Sequence, residues 1–412
     1  MSREYGYSVH DLVQRYGSPL FVASADIIRN NMKAFRGRFA KKYPKVKIAY
    51  SYKVNYLPGI LDIIHRDGTW AEVASGFEYG LARKLGVPGD SIVFNGPYKS
   101  KKELELALRE GALINVDNHD ELDTLKRIAA GNENPPVIGI RINTDVGIDQ
   151  LPDRFGFNLE SGEAADVVRE CTGSKLLRVA GLHTHLTSYI IRPGREESTP
   201  ASNIELIWPK GPEAYRRASE NIVRLANDLH VHDGVNIRYI DMGGGFPAVD
   251  SLPPYVEAIT RPILSRFNRE ELPALILEPG RAIVNNAVNL ISTVVAVRNI
   301  RGGKRAVVID SGINLLPTSF WRYQEIECEA GQKIGLKETI VYGPLCLQTD
   351  IVCRMSLPEL RPGDIITIKN IGAYNIPQSA SFTFPRPPVL LIEDGEERII
   401  RRAETVEDAF FL

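Results

Sequence analysis

The stretch KIAYSYKVN, residues 47–55, decides how this chain is read. Apolar and small residues run up to Lys53, at the point where a buried strand would end. An ammonium is costly to bury unless it is paired or used chemically, so Lys53 calls for a setting that employs it. The setting emerges from what recurs along the chain. Short β-rich runs alternate with helical segments: VKIAYSYK (46–53), WAEVAS (70–75), SIVFN (91–95), ALINV (112–116), VIGIRIN (137–143), VAGLHTH (179–185), IRYIDMGGG (237–245) and ALILEPG (274–280). Between them lie segments such as SGFEYGLARKLG and KSKKELELALREG, the second with apolar residues at helical spacing. Eight strands separated by seven helical segments predict a (β/α)8 barrel of the α/β class, over residues 27–284. Barrels of this kind gather functional residues at the carboxyl ends of their strands. Lys53, Ser75, Asn95, Asn143, His183, His185, Gly243, Gly244, Gly245, Glu278 and Arg281 all fall there.

Beyond about residue 284 the texture changes. NLISTVVAVRNIRGGKRAVVIDSGIN, ETIVYGPLC, DIVCRMSLPELRPGDIITIKNIGAY and PVLLIEDGEERIIRR read as strands separated by turn residues, with little helix. This predicts an all-β domain, a sandwich or barrel, made from residues 285–412. The N-terminal SPLFVASADIIRNN holds a strand that joins it, so residues 1–26 belong to the same discontinuous domain.

Composition narrows the function. The chain has 412 residues, 43% hydrophobic and 25% charged, with a net charge of -1 and both signs interspersed. Such a balance argues against a nucleic-acid surface and against a polybasic membrane patch. No apolar run reaches the ~20 residues of a membrane span, and MSREYGYSVHDLVQRYG lacks the pattern of a signal peptide. Cys171, Cys328, Cys346 and Cys353 are irregularly spaced, forming neither a zinc signature nor a disulfide framework. A cytoplasmic protein without a metal is expected.

A lysine at a barrel mouth can be an ion-pair member, a phosphate ligand or a Schiff-base amine. DMGGGFP (241–247) after a strand leaves backbone N–H groups free to approach an anion, although three glycines can equally make a tight turn. Pyridoxal 5'-phosphate needs an amine and a phosphate cradle together. It also needs a carboxylate at its ring nitrogen. Glu278 in LEPGR suits that role, with an ion pair to Arg281 or another cation as the alternative. His185 offers a flat group to stack on the ring.

Together these residues resemble the fold-type III pyridoxal-phosphate decarboxylases, the group that contains the diaminopimelate, ornithine and arginine decarboxylases. The likeness spans nearly the whole chain. Its motifs, in the family's order, are AYSYKVN, AEVASGFE, GIRIN, RFGFNL, GLHTHLTS, DMGGGFP, LEPGR, YGPLCLQTD and GAY. The resemblance implies that Lys53 carries the cofactor, that His185 stacks on its ring and that Glu278 holds the pyridinium. It implies phosphate contacts from Ser188, Gly243, Gly244, Gly245, Arg281 and Tyr374, with Ser75 at the cofactor site as well. Cys346 of GPLC resembles the acid that reprotonates the α-carbon, supplied by the neighbouring subunit. A head-to-tail homodimer with shared active sites is thus implied.

The departures concern the substrate. The family carries a glutamate or aspartate just after the cysteine to read a distal ammonium; here that position is Leu347, followed by Gln348. The arginine that grips a distal carboxylate is replaced near Thr318, with Arg322 slightly beyond. Tyr374 completes the expected substrate contacts. An ammonium against Leu347 would lack a partner. The residues therefore lead us to expect a small-molecule substrate with an anionic or polar distal group. A siderophore intermediate or an amino acid tethered to a carrier protein would qualify. Diaminopimelate or basic amino acids are the alternative. Two further departures, Glu72 in place of aspartate and Thr187 in place of glycine, leave the cofactor reading intact. The long 189–215 loop, with Arg192, Arg195 and Lys210, is either a lid or a solvated insertion. Rival readings are a metal-dependent amidohydrolase built on His183 and His185, a racemase on the same barrel, and a non-catalytic regulatory homologue.

Overall fold

The computed structural model describes residues 8–147, 154–186, 190–193, 204–207, 211–320, 322, 324–328 and 335–410. Eight strands form its centre: Val46–Ser51, Trp70–Val73, Ile92–Phe94, Leu113–Val116, Val137–Asn143, Arg178–His183, Tyr239–Asp241 and Ala274–Leu277. Each pairs in parallel with the next, and the eighth closes on the first through Leu275 beside Val46. Closure leaves no unpaired edge. Helices Pro58–His65, Gly76–Lys84, Lys101–Arg109, His119–Ala129, Glu163–Ser174, Gly211–Asp233 and Pro253–Arg266 stand between consecutive strands. This is the (β/α)8 barrel that the alternation predicts.

Local chemistry sets where strands give way to helices. Ser75, Ser100 and Asn118 each accept the backbone N–H three residues on, which satisfies a donor at the start of the following helix. The first strand stops earlier than its apolar run suggests. The Ser51 N–H still donates to the Pro279 carbonyl at 3.2 Å, and Tyr52–Val54 then forms a short 3-10 turn carrying Lys53. His185 likewise lies two residues past the end of its strand.

The barrel interior explains two glycines that sequence patterning leaves unexplained. Tyr239, on the seventh strand, projects inward and fills the space. A Cβ on Gly181 would fall 1.9 Å from its ring, and one on Gly139 would fall 2.3 Å from its hydroxyl. Ala49, Val93 and Ile276 pack with Tyr239 in the same interior cluster. Only a residue without a side chain fits opposite the tyrosine.

The second domain is a largely antiparallel sheet. Its strands run Ile351–Leu357, Lys337–Tyr342, Arg305–Ile309, Val288–Asn299, Leu20–Ser24, Val389–Glu393 and Glu396–Arg401; Ile365–Lys369 branches off Val288–Asn299 and pairs in turn with Glu325–Cys328. Leu20–Ser24, from the N-terminus, lies antiparallel to Val288–Asn299 and parallel to Val389–Glu393. Two hydrogen bonds tie this domain to the barrel mouth. The Tyr374 N–H donates to the Val54 carbonyl at 2.8 Å, one residue after Lys53, and Asn55 Nδ2 donates to the Gly372 carbonyl at 3.0 Å. Among the described residues no helix is long and apolar enough to cross a membrane.

Candidate active site

Lys53 leaves its turn toward the mouth, and its Nζ donates to Glu72 Oε2 at 2.7 Å. Burial works against the ammonium, but the carboxylates of Glu72 and Glu278 outweigh it and hold the lysine above its ordinary range. Glu72 stands on the second strand, buried. On the third strand's end, Asn95 Nδ2 donates to Glu72 Oε1 at 3.2 Å and to Glu278 Oε1 at 2.5 Å. A continuous polar path therefore runs from Lys53 to Glu278.

Glu278 is buried directly after the eighth strand, with His183 Nε2 3.8 Å from its Oε1 and His185 Nδ1 3.5 Å from its Oε2. Burial opposes its charge, yet His183 beside it outweighs burial and holds the carboxyl below the carboxylate range. Asp241, beside it, goes the other way: burial and the charge of Glu278 drive its carboxyl up. Asp241, inside DMGGGFP, is a site residue that the motif reading lacks, although its place at a strand end is a usable signal. Its Oδ1 accepts the Gly243 N–H at 2.9 Å and shapes the glycine turn.

The glycines are required by space. Gly243 has φ 63°, and a Cβ there would meet His185 Nδ1 at 2.7 Å; a Cβ on Gly244 would meet the Glu278 carbonyl at 2.5 Å. The Gly244 N–H donates to His185 Nδ1 at 3.1 Å, which makes that ring nitrogen an acceptor and orients the imidazole. Gly245 follows with φ 84°. Ser75 caps the helix after the second strand. Arg281 opens the short helix Arg281–Val284, and its guanidinium carbon lies 5.2 Å from the centre of the Tyr374 ring. Burial lowers this guanidinium to about 10, Tyr374 opposing the shift and the nearby Arg322 adding to it. Tyr374 holds φ 68°, a left-handed conformation that costs a non-glycine residue roughly 1–3 kcal/mol and tends to mark functional sites. Ser188 lies outside the described residues, as do Thr187, Arg195 and Lys210.

The expected substrate readers are distributed unevenly. Thr318 is buried: its hydroxyl donates to Asn375 Oδ1 at 2.8 Å and accepts from Gln324 at 2.9 Å, so its polar capacity is spent inside the β domain. Arg322 is half-buried and lowered by desolvation, against the pull of Glu325. Cys346 is exposed, and Leu347 beside it is 41% exposed. Asp350 pins their loop, accepting the N–H groups of Ile313 and Leu345, each at 2.8 Å.

These residues fit pyridoxal phosphate. Glu278 Oε2 is buried without a hydrogen-bond donor among the described groups, and a protonated ring nitrogen is the donor it lacks. The glycine turn that no Cβ could enter lies next to it. His183, His185 and Glu278 also bring their ligand atoms within 4.8 Å of one another, as a metal site would. Asn95 already occupies one oxygen of that carboxylate and Gly244 one nitrogen of that imidazole, which counts against the amidohydrolase reading.

Comparison with known proteins agrees with this geometry. The family described as pyridoxal-dependent decarboxylase, pyridoxal binding domain, matches residues 27–193 and 210–285, more than half of the chain. The diaminopimelate decarboxylase of Aquifex aeolicus is 29% identical, over 98% of this chain and 93% of the relative. That of Bacillus subtilis is 27% identical, over 96% and 91%. The crystal structure of diaminopimelate decarboxylase from Helicobacter pylori complexed with L-lysine superposes with a TM-score of 0.83 at 26% identity, covering 98% of each chain. With a closed barrel, a lysine tied to a buried carboxylate at its mouth and a family match over most of the barrel, the chain belongs to the pyridoxal-dependent decarboxylases of fold type III, carboxy-lyases that work with pyridoxal 5'-phosphate.

Proposed function

We propose that this decarboxylase acts on diaminopimelate or a basic amino acid, the class named in its relatives. The observation that carries this is the near-complete coverage of diaminopimelate decarboxylases in both directions. It reverses the preference drawn from Leu347 and Thr318 for an anionic or polar tail. With Leu347 in the reader's place, this reading requires a carboxylate from another position to meet the distal ammonium. The test is carbon dioxide release from meso-diaminopimelate, L-lysine, L-ornithine and acidic-tailed amino acids. Turnover of the first three supports the reading, and turnover of acidic-tailed substrates alone overturns it. The second reading, an anionic or polar tail on a free or carrier-presented substrate, is favoured by Leu347 itself, which offers an ammonium nothing.

Bound pyridoxal phosphate supplies an electron sink for the carbanion left when carbon dioxide departs. The chain's residues do the rest. Lys53 would hold the cofactor through its amine, with Glu72 as the carboxylate that positions that amine. Glu278 would keep the ring nitrogen protonated, His185 would stack on the ring, and Gly243, Gly244, Gly245, Ser75, Ser188, Arg281 and Tyr374 would hold the phosphate end. Cys346 delivers a proton to the α-carbon. Its exposure in a single chain supports delivery into the site of a second copy, hence a homodimer with shared sites. Four unbridged cysteines support work in a reducing compartment such as the cytoplasm. The small-molecule chemistry calls for no nucleic-acid or membrane partner.

A further inference from the structure

We infer that Asn95 is a positioning residue of the decarboxylase site: its carboxamide nitrogen ties the carboxylate that holds Lys53 to the carboxylate reserved for the cofactor's ring nitrogen. The inference rests on the cofactor reading and goes beyond it, since Asn95 belongs to none of the motifs that carry the family likeness.

The geometry is specific. Both hydrogens of the Asn95 amide are spent, one on Glu72 Oε1 at 3.2 Å and one on Glu278 Oε1 at 2.5 Å. Its oxygen accepts from Asn115 Nδ2 at 2.9 Å, and the Asn115 oxygen accepts from the Tyr239 hydroxyl at 3.2 Å. This chain of donors fixes which way the Asn95 amide points. Turned over, its oxygen would face two carboxylates and its nitrogen another amide nitrogen. Asn95, Asn115, Glu72 and Glu278 are all buried.

Two carboxylates in a dry site repel, and each oxygen without a donor costs stability. A neutral side chain with two N–H donors satisfies both and adds no charge. Aspartate at this position would introduce a third carboxyl, and alanine would leave both oxygens short of a donor. The charged and titratable groups around the pair are Lys53, Glu78 and Tyr374 on the Glu72 side and Asp241, His183 and His185 on the Glu278 side, with Arg141 near His183. Asn95 is thus the one neutral link between the amine end and the ring-nitrogen end of the site among the described residues.

The experiment compares wild type, Asn95→Ala, Asn95→Asp and Asn95→Ser. Each apo-protein is titrated with pyridoxal phosphate between pH 6 and 9, following the absorbance of the bound cofactor, and its thermal unfolding is recorded separately. Wild type should bind with a band that changes little across this range. Asn95→Ala should bind about tenfold more weakly, with a band that shifts with pH as Glu278 loses its fixed charge. Asn95→Asp should bind better at pH 6 than at pH 8, because only its protonated form can donate. Asn95→Ser, with one donor, should fall between wild type and alanine, and it carries the comparison if alanine fails to fold. Variants whose unfolding midpoints drop while affinity stays within twofold of wild type and the band's pH profile is unchanged would overturn the proposal. Wild-type protein that takes up no cofactor would overturn the site reading itself; a loss confined to the variants supports Asn95.

Discussion

Glu78 shows how one buried side chain can set the pH dependence of stability. It lies in the helix after the second strand, where its Oε2 accepts the Ala74 N–H at 2.7 Å. Burial raises its carboxyl to about 7, with that N–H opposing. Between the ordinary carboxylate value and about 7, the folded chain holds a proton that the unfolded chain has released. The contribution is therefore fully present below the unfolded pKa and fades as pH rises through the folded one. From pH 5 to pH 8 this group alone should remove up to about 3 kcal/mol of stability. Urea unfolding of apo-protein should show a shallower fall with pH for Glu78→Gln than for wild type; parallel curves would contradict the assignment. At this scale the sequence displayed the chemistry in part. Lys53, His185, the glycine turn and Glu278 were readable because each stands at a strand end. Asn95 was visible as a strand-end residue, but its partners Glu72 and Glu278 lie 23 and 183 residues away in sequence, and no local pattern encodes that meeting.

At the scale of elements, the cysteine loop and the tyrosine segment both depend on single residues. Asp350 accepts two backbone N–H groups, and Gly312 and Gly343 approach it so closely that a Cβ on either would fall within 2.8 Å of its oxygens. Asp350→Ala should cost about 3 kcal/mol by leaving those donors unpartnered, and it should slow turnover by misplacing Cys346. Denaturant unfolding and reaction of Cys346 with a thiol reagent check the two effects separately. Gly372 meets a harder limit, since a Cβ there would lie 1.9 Å from the Val284 carbonyl. Gly372→Ala should destabilise by about 3 kcal/mol and loosen Tyr374 from Val54. Strand and helix order were legible from periodicity. The ends were less so: KIAYSYK reads as strand through Lys53, yet the ladder stops at Ser51 because the following residues meet no strand partner.

At the scale of the molecule, the barrel and the β domain meet where Tyr374 touches the turn bearing Lys53. We propose the division at residues 27–284 against 1–26 with 285–412. A barrel made from 27–284 alone should bind the cofactor poorly, as it lacks Tyr374. The shared-site dimer has a sharper test. Lys53→Ala and Cys346→Ala proteins, each inactive alone, should regain about a quarter of wild-type activity when subunits are mixed and exchanged in equal amounts, because half the dimers then carry one intact site. No recovery despite demonstrated exchange would place both residues in the same subunit's site. Substrate class was the least legible property. Leu347 and Thr318 pointed away from an ammonium tail, whereas whole-chain similarity points to relatives that are diaminopimelate decarboxylases. One position reports what is missing from one contact and says nothing of a carboxylate brought from elsewhere in the fold. The most direct test of the account is the absorbance of purified protein with pyridoxal phosphate, before and after borohydride, beside Lys53→Ala. A band near ~420 nm in wild type, trapped by borohydride on the peptide carrying Lys53 and missing from the variant, is the predicted result. A band of equal strength in Lys53→Ala, or trapping on another lysine, would contradict it.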